Sequence, residues 1–129
     1  MTGRFLLDTN AVISVFASDA LLQARLSGAA EVFIPSMALG ELYYGARKSS
    51  RVTENLEKIN EFAARSAVLA CDATTAQWYG EIKNNLRAKG RPIPENDIWI
   101  AAIANQHDLT LVTRDAHFAE VEGLGTVAW

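Results

Sequence analysis

Four acidic residues stand where the sequence could use a carboxylate for chemistry. Asp8 ends the apolar run "RFLL", Asp115 follows the apolar run "LTLVT", Glu41 interrupts the apolar segment "MALGELYYGA", and Asp97 opens "DIWIAAIA". Carboxylates gathered in one cavity repel one another and hold protons unless a cation compensates them. All-oxygen ligation suits Mg²⁺ or Mn²⁺ and not zinc. A divalent-metal site is therefore one hypothesis for these acids.

Each acid also has a purely structural interpretation. Asp8 could cap the helix that follows it, Asp97 could interact with its helix dipole, and Asp115 could be a turn residue. Glu41 could pair with Arg47, although an unpaired carboxylate within an apolar helix is costly. Taken one at a time, these positions leave both interpretations open.

Strands and helices alternate along the chain. Strands are predicted at residues 5–7, "EVFIPS", "AVLAC" and "LTLVT", with a short fifth at "GTVAW". Helices are predicted over residues 11–17 and 20–26, from the N-cap Ser36 to about Arg47, and over "RVTENLEKINEFAARS". A long helix is predicted to open with the capping-box pair Thr74 and Gln77 and to end at Gly90, and a last helix to run from Asn96 or Asp97 to about Gln106.

This alternation predicts the fold class. Crossovers this long require parallel strands covered on both faces, so we expect an α/β/α sandwich with a mostly parallel four- to five-stranded sheet, formed by residues 1–129 as a single domain. The strand ends and helix starts of such a sheet meet at one edge, where open α/β sheets bind their ligands. Asp8 and Asp115 are both predicted at this edge, with Glu41 and Asp97 at or near it.

Composition bounds the class of protein further. Half of the 129 residues are hydrophobic and 21% are charged, which predicts a packed globule. The net charge of −3 excludes a globally basic nucleic-acid binder, though not a local basic groove. The single cysteine, Cys71, has apolar neighbours and is predicted to be a buried free thiol. We expect an intracellular, cytoplasmic protein that does not associate with membranes, because no signal peptide or membrane-spanning stretch is present.

Five motifs together resemble a known family. The segments "LLDTNAVIS", "PSMALGELYYGA", "RPIPENDIWIAAIA", "LVTRDAHFAEVEGL" and "VAW" are similar, in order and spacing, to those of the PIN-domain nucleases, and within them to the VapC-type toxins of bacterial toxin–antitoxin modules. The resemblance covers essentially the whole chain. It implies a metal-dependent endoribonuclease that uses Mg²⁺ or Mn²⁺, cuts RNA to leave a 5′-phosphate and a 3′-hydroxyl, and is bound by a small VapB-type antitoxin.

The resemblance also assigns residues. The positions that match the family's catalytic and metal-binding acids are Asp8, Glu41, Asp97 and Asp115. Thr113 matches a hydroxyl residue that helps to order the site, and Asn10 is predicted to help cap the first helix. Arg114 and Arg47 flank site acids, where they could contact the RNA backbone or pair with the acids.

Other features have weaker functional interpretations. The basic residues of one stretch could hold the RNA backbone or form a solvated helix face: Lys83, Arg87, Lys89 and Arg91. His107 and His117 are interpreted as surface or capping residues, because no second His or Cys has zinc spacing. The aromatic side chains of Trp78, Tyr79 and Trp99 are interpreted as core or dimer packing. Self-association as a homodimer is expected from the apolar run Leu42, Tyr43 and Tyr44.

Two rival functions remain at the level of sequence. The chain could be a catalytically silent module of the same fold that engages a basic partner through its acidic cavity. It could also be a metal-dependent phosphatase with a nucleophilic first aspartate, but that class wants a second acid two residues later, where this chain has Asn10.

Overall fold

A computed structural model describes residues 3–129 as alternating strands and helices. The strands are β1 (Arg4–Leu7), β2 (Glu31–Pro35), β3 (Ala67–Leu69), β4 (Thr110–Val112) and β5 (Thr126–Val127). The helices are α1 (Thr9–Phe16), α2 (Ala20–Leu26), α3 (Ser36–Arg47), α4 (Val52–Ala64), α5 (Ala73–Ala88) and α6 (Glu95–Gln106), and a short 3₁₀ helix spans Ala116–Glu120.

The five strands form one sheet in the order β3-β2-β1-β4-β5, and every pairing is parallel. The prediction of an α/β fold with a mostly parallel sheet is confirmed. The chain fills the sheet outward from β1 to β3 on one side, then crosses to β4 and β5 on the other. The connections that follow the adjacent strands β1 and β4 therefore run in opposite directions from the carboxyl ends of these strands. Open α/β sheets form a ligand-binding crevice at such a point.

Apolar side chains cover both faces of the sheet. In β1, Leu6 belongs to a buried cluster with residues of α5 and α6, while Phe5 and Leu7 belong to a second cluster with residues of α1, α3 and α4. This alternation follows from the two-residue period of a strand. Within α6, Ile98 and the run from Ile100 to Ala104 are buried. A helix enclosed to this extent cannot shift easily, so it holds its first turn firmly against the edge of β1 and β4.

The start of α1 differs from the sequence prediction. The Oδ1 atom of Asp8 accepts a hydrogen bond from the Ala11 amide at 2.8 Å, so Asp8 is the cap and Asn10 is not. The prediction that Asn10 caps this helix is wrong. Asp8 already has the extended backbone that a cap requires, whereas Asn10 lies within the helix.

Three other helix starts also differ. The cap of α5 is Asp72, which forms a capping box with Thr75, so the predicted pair of Thr74 and Gln77 is wrong. Ser36 is the first residue of helix α3, which has no side-chain cap, so the prediction that Ser36 caps this helix is wrong. Helix α6 begins at Glu95, earlier than predicted. Spacing rules locate such boxes only within a few residues, because several neighbouring polar residues can act as caps, and here the cap lies two residues before the predicted one.

One prediction of burial is also wrong, and two of the three apolar residues expected to drive self-association are engaged within the chain. Cys71 is exposed, because β3 ends at Leu69 and the cysteine lies in the loop before α5. Of the three apolar residues expected to drive self-association, Leu42 is buried in the core of its own chain and Tyr43 donates a hydrogen bond to Asn60 at 2.6 Å. Tyr44 alone of the three is largely exposed, at 60%. Within residues 3–129, no helix is long and apolar enough to cross a membrane.

Candidate active site

The ends of β1 and β4 place Asp8 beside Thr113. Leu7 is paired with Val112, so Asp8 and Thr113 are the next residues on adjacent parallel strands. The Asp8 amide donates to the Val112 carbonyl at 3.2 Å, and the Thr113 hydroxyl donates to Asp8 Oδ2 at 2.6 Å. Each oxygen of Asp8 is therefore fixed, Oδ1 by the start of α1 and Oδ2 by Thr113.

Asp8 is a buried carboxylate with a raised pKa. Its side chain is almost fully enclosed, and this burial raises the pKa because the charged form loses its hydration. The hydrogen bonds from Thr113 and Ala11 oppose that effect, and the charge of Asp115 adds to it. The fold therefore holds Asp8 in a position where its negative charge is costly without a compensating cation.

Asp97 lies in the first turn of α6 and faces the same edge. Burial is the main cause that raises its pKa, and the charges of Asp115 and Asp8 raise it further. His117, in the 3₁₀ helix after β4, opposes these effects: its Nε2 atom is 2.9 Å from Asp97 Oδ2. Both groups are partly buried, with side chains 33% and 20% exposed for His117 and Asp97.

Asp115 is the third acid of this edge, and it is exposed. Its backbone amide donates to the Thr113 hydroxyl oxygen at 3.0 Å. Thr113 thus connects two acids, because its hydroxyl donates to one residue and accepts from the other. The electrostatic effects of Asp115 on both Asp8 and Asp97 show that the three carboxylates share one neighbourhood.

Three other predicted site residues make no hydrogen bond or ion pair with these acids within residues 3–129. Glu41 is exposed on α3, so the cost expected for a carboxylate buried in an apolar helix does not arise, and that reasoning is wrong. Asn10 is exposed on α1, where it lines a cleft beside Asp8. Arg114 donates from Nε to the Trp129 carbonyl at 2.7 Å and does not pair with a site acid in the described residues.

Two of the four basic residues in the stretch before Asp97 form ion pairs. Lys83 contacts Glu95 at 2.7 Å, and the Tyr79 hydroxyl donates to the same carboxylate. Lys89 lies 3.5 Å from Glu120. These contacts favour the interpretation of a solvated helix face over that of an RNA-binding groove.

The sequence interpretation missed His117. It placed this residue at the surface or at a helix cap, but the structure places it in direct contact with Asp97. The one signal available was its position two residues after Asp115, in "RDAHF". Spacing could not pair it with Asp97, because the two residues lie 20 apart and are joined only by the crossover to β4.

The donor set of this edge fits a hard divalent cation. Asp8, Asp97 and Asp115 offer oxygen ligands only, and two of them carry a raised pKa that a nearby cation would reverse. Among residues 3–129, however, no three His, Cys, Asp or Glu side chains converge tightly enough to form a ready-made metal site. The chemistry of the ligands fits, and binding requires a closer approach of their side chains.

Comparison with known proteins identifies the family. The sequence model of the PIN-domain family matches residues 5–124 of this chain. The chain belongs to the PIN-domain family. This PIN domain is 36% identical over 129 residues to the ribonuclease VapC2 of Haemophilus influenzae, with 98% of each chain covered. It is equally similar, with the same coverage, to the tRNA(fMet)-specific endonuclease VapC of Shigella flexneri.

Solved structures agree with this assignment. The VapBC complex of Salmonella typhimurium bound to DNA matches with a TM-score of 0.88 and 31% identity, and 96% of each chain is covered. VapBC2 of Rickettsia felis, bound to a DNA fragment from their promoter, matches with a TM-score of 0.87 and 28% identity over 98% of each chain. The predicted family is confirmed, and this PIN domain is a member of its VapC group.

Proposed function

We propose that this protein is the toxin of a VapBC-type module, an endoribonuclease that hydrolyses RNA with the help of Mg²⁺ or Mn²⁺. The observation that carries the proposal is the group of Asp8, Asp97 and Asp115 at the crevice of the parallel sheet, where burial and mutual repulsion raise the pKa of Asp8 and Asp97. Membership of the PIN-domain family and the ribonuclease relatives support it.

Asp8 and Asp97 would hold the ion from two rigid elements. Asp8 ends the central strand and is oriented by Thr113 and Ala11, and Asp97 is oriented by His117 on the enclosed helix α6. Asp115 and Glu41 are exposed and would complete the ligand set directly or through water. When bound, such an ion supplies charge neutralisation at the scissile phosphate and an acidified water.

The contribution of the chain itself is orientation. Both oxygens of Asp8 are fixed by hydrogen bonds, so its position does not depend on the ion. His117 holds one oxygen of Asp97 and leaves the other without a partner among the described residues. Supporting contacts of this kind typically change metal affinity or activity about 10–100-fold when they are removed.

Single-stranded or loop RNA is the proposed substrate, because the acid edge lies in a crevice that an unpaired strand can enter more easily than a duplex. One relative is named a tRNA(fMet)-specific endonuclease, so initiator tRNA is the first natural substrate to test. Cleavage should leave a 5′-phosphate and a 3′-hydroxyl.

A VapB-type antitoxin is the proposed partner. The matching structures from Salmonella typhimurium and Rickettsia felis are VapBC complexes. An antitoxin Arg or Lys placed between the site acids would make charge-assisted hydrogen bonds with them and exclude the metal. We further propose a homodimer, for which the exposed side chains of Ile13, Leu21 and Tyr44 provide apolar surface.

The test combines metal binding with cleavage. Purified protein is titrated with Mg²⁺ and Mn²⁺ while tryptophan fluorescence is recorded, and initiator tRNA and a panel of single-stranded and hairpin RNAs are then assayed with each metal and with EDTA. We expect cleavage with either metal and none with EDTA. Full activity in EDTA would disprove the mechanism, and metal-independent binding of a basic partner without any cleavage would favour the silent binding module.

A further inference from the structure

A small cleft adjoins the acid edge on the side of α1 and α2. It has a volume of about 80 Å³, and Asp8, Asp115 and Arg114 are among the residues that line it. Asn10, Ser14, Asp19, Leu22 and Trp129 line it as well. A group seated in this cleft would lie directly beside the phosphate that the acids are proposed to act on.

The cleft contains a flat aromatic surface that is held in place. The Trp129 ring packs against Phe5 with ring centroids 4.6 Å apart and planes tilted by 51°. The Trp129 carbonyl accepts the hydrogen bond from Arg114 Nε. The indole is nevertheless only partly buried, so one part of it remains accessible to a ligand. Aromatic side chains fixed in this way are the usual stacking partners of unpaired nucleobases.

The cleft also contains the carboxylate of Asp19, of which one oxygen atom serves as a helix cap. Asp19 caps α2, and its Oδ1 atom accepts from the Leu22 amide at 3.1 Å. Among residues 3–129, no hydrogen bond engages Oδ2 of Asp19. An ionised carboxylate only accepts hydrogen bonds, so it selects ligands that donate N–H groups, such as the exocyclic amino group of cytosine.

We propose that this cleft is a subsite for one unpaired nucleobase next to the scissile phosphate, stacked on Trp129 and selected by Asp19 for an exocyclic amino group. The inference rests on the proposed function, since the neighbouring phosphate is the one held at the acid edge. Arg114 supports this role: only its Nε is engaged by Trp129, which leaves the other guanidinium N–H groups to contact the RNA backbone. A volume of about 80 Å³ is too small for a base pair.

The first experiment measures base discrimination. RNAs that differ only in the bases flanking the cleavage point are compared by kcat/KM. Wild-type protein should disfavour uracil at one flanking position, because uracil lacks an exocyclic amino group. Asp19→Asn keeps the helix cap but replaces an acceptor oxygen, and it should reduce this discrimination about 10-fold, the effect of one hydrogen bond to a charged group. Asp72→Asn, the same change at a capping aspartate on α5, should leave the discrimination unchanged.

The second experiment measures binding without cleavage. In EDTA, cytidine and adenosine should quench tryptophan fluorescence at lower concentrations than uridine does. Trp129→Leu should abolish this quenching, Trp129→Phe should retain weaker binding in a competition assay, and Trp78→Leu should retain the quenching. If wild-type protein cleaves no RNA, the proposed function fails, and nucleoside binding still decides whether the cleft takes a base.

Two results would overturn the inference. The first combines quenching that does not depend on Trp129 with one of two cleavage results: equal cleavage of all flanking bases by wild-type protein, or unchanged discrimination in Asp19→Asn. The other is a loss of antitoxin affinity in both the Asp19 and Trp129 variants while base discrimination is retained, which would assign the cleft to the antitoxin.

Discussion

Asp8 and Asp72 occupy the same local position in two regions of the molecule. Each lies between a strand and a helix, and each accepts the capping hydrogen bond from the amide three residues later, at 2.8 Å for Asp8 and 3.0 Å for Asp72. Asp72 also accepts from the Thr75 hydroxyl at 3.1 Å and from Gln106 at 3.0 Å. It is exposed, and the hydrogen bonds from Thr75 and Gln106 lower its pKa.

Asp8 has the opposite surroundings. It is buried, its neighbours include Asp97 and Asp115, and its pKa is raised. The helix cap is therefore complete at both sites. Only at Asp8 is the capping carboxylate also buried beside other acids, which makes its negative charge unfavourable and is not required for capping. An aspartate that serves structure alone gains nothing from burial beside other acids, so the difference between the two regions supports the functional role that we propose for Asp8.

The largest expected effect separates these two regions by activity. Asp8→Asn and Asp97→Asn remove a charged ligand and should reduce RNA cleavage at least about 100-fold, beyond the usual loss for an outer-shell contact. Asp72→Asn should cleave as the wild type does. The measurements are kcat/KM with Mg²⁺, with circular dichroism to establish folding. Normal cleavage by Asp8→Asn, or loss of activity only through unfolding, would make both aspartates structural caps.

A smaller effect is expected for the exposed acids. Asp115→Asn and Glu41→Gln should each reduce cleavage by about 10–100-fold, because these carboxylates can move and can be replaced in part by water. Asp115 should show the clearer loss of metal affinity, since it already affects the pKa of both Asp8 and Asp97. Isothermal titration with Mn²⁺ measures this affinity. Equal affinity in Asp115→Asn and wild-type protein would remove Asp115 from the metal site.

The hydroxyl of Thr113 should have a still smaller and separable effect. Thr113→Val keeps the side-chain shape but loses the hydrogen bonds to Asp8 Oδ2 and from the Asp115 amide. Metal affinity should fall about 10-fold. Thr113→Ser restores the hydroxyl and should restore most of the affinity, which separates orientation of Asp8 from general packing. If the valine and serine variants bind Mn²⁺ alike, the hydroxyl does not order the site.

Much of this arrangement could be predicted from the sequence. Strand alternation and the apolar runs predicted the parallel sheet, and the positions of Asp8 and Asp115 after two such runs predicted that they meet at one edge. That inference needs only the rule that parallel strands end on the same side. The resemblance to the PIN-domain nucleases, carried in part by "TRD", likewise assigned Thr113 to the site.

The remainder depends on distances that a linear pattern does not contain. The exposure of Glu41 depends on which face of α3 packs against the sheet, and the short capping patterns around Asp72 were ambiguous by one or two residues. The contact between His117 and Asp97 requires the 3₁₀ helix to approach the first turn of α6. The use of Trp129 as a cleft wall requires β5 to bring the end of the described chain back to β4.

The smallest expected effect compares the stability of the two aspartate variants with and without metal. The pKa of Asp8 is raised in the folded protein, so its contribution to stability is present below its unfolded pKa and is lost as the pH rises through its folded pKa. In EDTA at pH 7, Asp8→Asn should therefore melt above wild type, and the gain should shrink as the pH approaches 4. Asp72 has a lowered pKa, so Asp72→Asn should melt below wild type at pH 7, and that deficit should also shrink on acidification.

Added Mg²⁺ should then reverse the order for Asp8 alone. An ion that binds only the folded state raises the melting temperature of the protein that can hold it. Wild type and Asp72→Asn should gain stability with Mg²⁺, while Asp8→Asn should gain little. Melting curves followed by circular dichroism, at pH 7 and pH 4 with EDTA or Mg²⁺, measure all of these differences. A lower melting temperature for Asp8→Asn in EDTA at pH 7 would mean that the ionised cap stabilises α1 more than burial of its charge destabilises the fold, and the contrast with Asp72 would then be one of degree.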